Sequence, residues 1–179
     1  MLTKEKTGLI VVDVQGKLAR RVHDSEALIF NCTKLITGAQ ILGLPIVVLE
    51  QNPQKLGPTV DEIAALFGDL KPIEKFTFNG CESATFVEAV KAHNVETWLV
   101  CGIEAHICVY QTATGLAELG YKVEVVSDCV SSRTLDNKHL GIKRIIESGA
   151  VVTGLEMCLY EMVGDCRALE FKSILPLIR

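Results

Sequence analysis

The feature that most restricts this chain is a regular alternation, in which short β-branched runs are each followed by a longer amphipathic stretch. The segments 8–14 (GLIVVDV), 44–50 (LPIVVLE), 71–76 (KPIEKF), 97–103 (TWLVCGI), 121–128 (YKVEVVSD) and 150–154 (AVVTG) have strand length. The strongest of them are almost continuously apolar, as strands buried on both faces of a parallel sheet must be. Between them lie helical patterns. Over 25–43, Leu28, Cys32, Leu35, Ile36 and Ala39 share one face, with Asp24 or Ser25 to cap the start and Gly43 to end it. Further helices are expected over 59–67 with Thr59 as N-cap, over 83–93 behind Ser83, and over 106–119, 135–149 and 156–164. Residues 51–58 (QNPQKLGP) read as a loop, and the tail from Cys166 is expected to add a last turn before Pro176. No break in composition interrupts the pattern. It predicts one α/β domain over 1–179, with a mainly parallel sheet and right-handed crossovers.

Composition narrows the partners. Hydrophobic residues make up 49% of the chain against 22% charged, which excludes a disordered segment. The net charge is −4 and no basic stripe runs along any segment, so neither nucleic acid nor an anionic membrane is an expected partner. A small molecule is. The apolar runs fall far short of the roughly 20 residues that cross a bilayer. The opening MLTKEKTG is polar and leads straight into a strand, so a cytoplasmic location with reduced thiols is expected. The seven cysteines include no C-x-x-C pair and the four histidines stand apart, so local spacing builds no zinc site.

In a sheet of this class ligands bind beyond the carboxyl ends of the strands. Three reactive side chains fall there. Asp13 ends the first strand, where it either caps the turn or serves chemistry. Lys75 sits among Ile73, Phe76 and Phe78, where a lysine either snorkels from an edge or reaches a partner. Cys108 follows the fourth strand at a helix start, where free backbone N–H groups favour a thiolate. That placement predicts a thiol pKa below the ordinary value of about 8.5. The competing reading is a buried structural thiol. His106, two residues away on the same helix, points elsewhere, which leaves Asp13 as the preferred base. No Gly-rich turn follows the first strand and no Walker sequence occurs, which argues against a nucleotide site.

Taken in order, VVDVQ, EQNPQKLGPT, EKFTFN, GIEAHICVYQTA and the stretch from DCVSS to EMVGD resemble the isochorismatase-like cysteine hydrolases over nearly the whole chain. The resemblance implies a three-layer α/β/α sandwich with a six-stranded sheet in the order 3-2-1-4-5-6. It implies a catalytic trio of Asp13, Lys75 and Cys108. It also implies a cis peptide between Ile103 and Glu104, which would turn the Glu104 N–H towards that of Cys108 as an oxyanion hole. Nicotinamidase-like members bind a metal through histidines after the second strand, whereas LEQNPQKLGP has none, so neither metal nor cofactor is implied. Members commonly form dimers or larger homo-oligomers, and EMCLYEMV and FKSILPLI offer candidate contacts.

The activity so implied is amide hydrolysis through a thioester on Cys108. Vinyl-ether hydrolysis, or an oligomeric interaction protein with a vestigial site, are the alternatives. Pocket walls are expected from Gln51, Asn52, Phe76, Phe78, Ala105 and Ile107. With no arginine in those segments, a compact neutral amide is the expected substrate and dianionic isochorismate a poor one.

Overall fold

A computed structural model describes the chain over residues 1–179. Six strands, β1 (Thr7–Val12), β2 (Ile46–Gln51), β3 (Ile73–Lys75), β4 (Thr97–Ile103), β5 (Lys122–Ser131) and β6 (Val151–Thr153), pair in parallel throughout. Their order is β3-β2-β1-β4-β5-β6, as the resemblance implies. The helices are α1 (Gly16–Ala19), α2 (Ser25–Ile41), α3 (Pro53–Leu56), α4 (Asp61–Ala64), α5 (Ala84–Lys91), α6 (Tyr110–Glu118), α7 (Leu135–Glu147), α8 (Leu155–Val163) and α9 (Phe171–Ile178).

Every residue of β1 and β4 is buried. Alternate side chains serve opposite faces, as the period of two in a strand requires. Leu9 and Val11 join Leu35 and Ile36 of α2 and Leu159 of α8 on one face. Ile10 and Val12 join Phe86 of α5, Leu116 of α6 and Ile145 of α7 on the other. A sheet covered on both sides has only its strand ends open to ligands. The chain runs outward from β1 to β3, then returns to lay β4 against the far side of β1. The switch point therefore lies between the ends of β1 and β4.

Two irregularities shape that edge. Gly102 adopts φ 118°, and a Cβ there would lie 2.0 Å from the Val12 carbonyl oxygen, so β1 and β4 close together only over glycine. In β5 the register jumps. Val100 faces Val125 but Gly102 faces Val130, so the intervening residues bulge out of the β4 ladder, and of them Val126 pairs with Thr153 of β6. The strand thus runs past its expected end at 128. Cys129, Val130 and Ser131 are buried strand residues.

Other departures concern polar residues and short elements. Thr59 does not cap a helix; its N–H and hydroxyl both donate to the buried Glu50 carboxylate, at 2.7 and 2.6 Å, and α4 begins two residues later. Asp24 heads α2 at φ 50° without a side-chain cap. Residues 51–58 contain α3, and α1 follows β1 directly. The tail is not one turn but the eight-residue α9, running through Pro176. Fully buried Ile174 anchors it in the core beneath α2, and a proline near the helix end removes only one backbone bond. No helix is long and apolar enough to cross a membrane.

Candidate active site

Asp13 follows β1 at φ 52°, in the left-handed region that aspartate tolerates better than most residues. Its N–H still donates to the Leu49 carbonyl of β2 at 3.1 Å, so the reversal begins while the sheet holds the chain. Lys75 ends β3, the strand beyond β2. Both side chains are almost wholly buried, and Lys75 Nζ donates to Asp13 Oδ2 at 2.8 Å. The other two ammonium protons go to Gln51 Oε1 at 2.7 Å and the Thr77 carbonyl at 3.2 Å. All three donors of the ammonium are committed, which fixes it in place. Of the two readings open to this lysine, the edge-strand snorkel is the one the geometry excludes.

Asp13 Oδ1 has no hydrogen-bond partner. Beside it stands Cys108, carried on the π-helical turn Ala105–Val109 between β4 and α6. That turn is closed by Val109 N–H donating to the Glu104 carbonyl at 3.2 Å, five residues back. The peptide joining Ile103 to Glu104 is cis. Glu104 is held from its side chain, where its carboxylate accepts the Arg133 N–H at 2.9 Å and pairs with the guanidinium at 3.1 Å.

The electrostatics differ from the expected thiolate. Burial pushes the Cys108 thiol up to about 12, and the Asp13 charge adds to the rise, while Lys75 opposes it. The resting group is a neutral thiol facing a carboxylate. Burial also raises Asp13 above the usual carboxylate range, against the lowering influence of Lys75. A helix start favours thiolate only where solvent or cations share the burden, and here desolvation outweighs both.

Asp13 and Cys108 line a cavity of about 90 Å³ with Gln51 and Glu104, and its apolar walls are Leu18, Leu56, Phe78, Ile103 and Ile107. Three of the six expected wall residues, Gln51, Phe78 and Ile107, stand there. Asn52, Phe76 and Ala105 do not. Asn52 turns away at φ 38° to head α3. Phe76 follows inward-pointing Lys75 and so faces out, 70% exposed. Ala105 is wholly buried in the core against Gly141 of α7. His106 bonds Ser132 Oγ at 2.9 Å rather than any member of the trio.

One residue escaped sequence reasoning altogether. Gln15, wholly buried, donates to the carbonyls of Gln51 at 3.1 Å and Gly57 at 2.7 Å, and accepts the Gln51 N–H at 2.6 Å. It stitches the end of β1 to the segment carrying α3. A glutamine embedded in the apolar run VVDVQ was the available signal. No group of three His, Cys, Asp or Glu side chains stands in metal-holding geometry.

The Isochorismatase domain family matches residues 7–157. The secreted isochorismatase effector Isc1 of Phytophthora sojae is 34% identical over 177 residues, spanning 96% of this chain and 83% of the relative. Isochorismatase domain-containing protein 2 of Xenopus laevis is 30% identical over 177 residues, spanning 99% and 85%. The solved structure of MAR1 ribonuclease from Caenorhabditis elegans superposes with TM-score 0.93 at 34% identity, over 99% of this chain and 91% of that one. The YcaC gene product of Escherichia coli, an octameric hydrolase of unknown specificity, superposes with TM-score 0.92 at 25% identity, over 98% and 89%. Sequence and architecture agree along almost the entire length, and the chain belongs to the isochorismatase family.

Proposed function

We propose that the chain is a cysteine hydrolase that cleaves a small amide through a thioester on Cys108. The observation that carries this reading is the divided role of the Asp13 carboxylate. One oxygen is held by the fully committed Lys75 ammonium, and the other is unpartnered and buried beside the thiol. A buried polar atom without a partner calls for an explanation, and a proton acceptor waiting for its donor is one.

The cycle needs only these groups and water. Asp13 Oδ1 takes the proton from Cys108 Sγ as sulfur bonds to the acyl carbon, so a thiol with a pKa near 12 is never required to ionise in advance. A carboxylate raised by burial is the stronger base for this step. The carbonyl electron pair moves onto oxygen, which the N–H groups of Glu104 and Cys108 receive, since the first N–H groups of a helix lack intrahelical acceptors. Collapse breaks the C–N bond, and the amine leaves with the proton from Asp13. Water, deprotonated by Asp13, then adds to the thioester and expels the sulfur, which recovers the proton. Lys75 neutralises Asp13 whenever it is ionised and holds its orientation. The small, mostly apolar inner cavity fits an uncharged reacting group.

A screen of small amides, a vinyl ether and a single-stranded RNA against wild type and Cys108→Ala tests the reading. Amide turnover should fall roughly 10⁴-fold or more on losing the nucleophile. Intact mass after rapid quenching should show an acyl adduct on Cys108. Amide hydrolysis that survives in Cys108→Ala would overturn the mechanism, and turnover of the vinyl ether or RNA alone would overturn the substrate class. We further propose a cytoplasmic homo-oligomer, because all seven cysteines are unpaired and the Escherichia coli relative is described as octameric.

A further inference from the structure

The inner cavity does not open directly to solvent on every side. Leu18 of α1 and Leu56 of α3 form part of its wall, and the same two residues line a larger outer cavity of about 620 Å³. Apart from these leucines, the outer chamber is polar. Lys17, Arg21, Lys55 and Arg133 border it from solvent-exposed positions, and no acidic residue lines it. Arg133 is paired with Glu104, but Lys17, Arg21 and Lys55 make no ion pair within the chain. In a chain of net charge −4, three unpaired cations thus share one cavity at the mouth of the site. Like charges so gathered repel one another, and a bound anion would relieve that repulsion.

The walls of this chamber are fixed. Gly16, at φ 44°, begins α1, and a Cβ there would lie 2.1 Å from the Leu56 carbonyl oxygen of α3. Gly16 N–H donates to the Pro58 carbonyl at 3.0 Å, and Gln15 ties Gly57 to the end of β1. The two short helices carrying Lys17 and Lys55 are therefore bound to each other and to the strand that supplies Asp13.

From this arrangement we infer that the outer chamber is an anion-recognition vestibule, and that the substrate is an amide carrying a carboxylate or similar anionic group at the end remote from the scissile bond. The inference rests on the hydrolase reading above and sharpens it. The uncharged amide enters the apolar inner chamber, while Lys17, Arg21 and Lys55 receive the tail. This revises the sequence expectation of a wholly neutral substrate. The cations come from α1, α3 and the segment before α2, and only the fold brings them together.

Butanamide and succinamate test the inference, because they differ only by a methyl or a carboxylate at the far end from the amide. Wild type should favour succinamate in kcat/KM by about tenfold or more, and the preference should shrink with added salt. It should fall towards parity in Lys17→Gln/Arg21→Gln/Lys55→Gln. Equal use of the two amides by wild type, or a preference unchanged in the triple variant, would overturn the vestibule. A second readout does not depend on turnover. Alkylation of Cys108 by iodoacetate relative to iodoacetamide, with exposed Cys166 as the internal reference, should be higher in wild type than in the triple variant. Should neither amide turn over, a Cys108 preference lost in the variant upholds the vestibule and counts against the hydrolase reading alone. A ratio identical in the two proteins, or failure of both reagents to reach Cys108, overturns the vestibule itself.

Discussion

At Cys108 two neighbours act on the thiol in opposite senses, and substitution should separate them. Asp13 raises its pKa through its charge, whereas Lys75 lowers it. Asp13→Asn should therefore bring the thiol below its value of about 12, and Lys75→Met should drive it higher still. Alkylation of Cys108 followed against pH reads both, and shifts of the same sign would refute the assignment. Lys75→Met should also cost about 3–5 kcal/mol of stability, because it strands a buried carboxylate. Asp13→Leu/Lys75→Met should recover most of that loss while remaining inactive, since two apolar residues replace a buried ion pair with little penalty. Urea denaturation checks this, and a double variant no more stable than the single would refute it. The three residue positions were readable from the sequence, because each ends or follows a strand. The charge state of Cys108 was not, because desolvation depends on how many neighbours cover the sulfur, and only tertiary packing decides that.

Among the elements, the long ones were legible and the short ones were not. α2 and α7 carry enough turns for a helical period to show, whereas α1 and α3 span four residues each and owe their existence to what they touch. Gly16 lies against Leu56, and Gln15 reaches across to Gly57. No local pattern encodes such a contact. The same holds at the β1–β4 junction. Gly102→Ala should destabilise the protein by several kcal/mol, because the added Cβ meets the Val12 backbone and the residue must also hold φ 118°. Gly43→Ala, at φ 71° with open space around it, should cost only about 1–2 kcal/mol. Chemical denaturation of the pair gives the order, and equal losses would mean that β1 and β4 tolerate separation there.

For the whole molecule, the alternation of runs dictated the layers, and the resemblance supplied the strand order that alternation alone leaves open. The tail, a candidate contact to a second copy that could equally pack on its own sheet, buries Ile174 in its own core through α9. Leu169 just before α9, Met157 on α8 and Val151 on edge strand β6 are the large apolar side chains of that region left exposed. Light scattering should give a particle mass that is a multiple of 19.5 kDa. A monomer at micromolar concentration would remove the homo-oligomer from the account, and would leave these apolar side chains in water.

The left-handed backbone at Asp13 has a consequence for anyone wishing to redesign this protein. A position at φ 52° that is also sealed from solvent has a narrow mutational neighbourhood. Asparagine and glycine suit the backbone but give up the carboxylate. Glutamate keeps the carboxylate, yet it lacks the short side chain that makes such a φ tolerable, and its extra methylene shifts the carboxylate relative to the Lys75 ammonium that holds it. The most conservative exchange by charge is thus the one the main chain excludes. Libraries that aim to retune the basicity of this carboxylate should leave position 13 alone and vary the charges that act on it, Lys75 and Glu50.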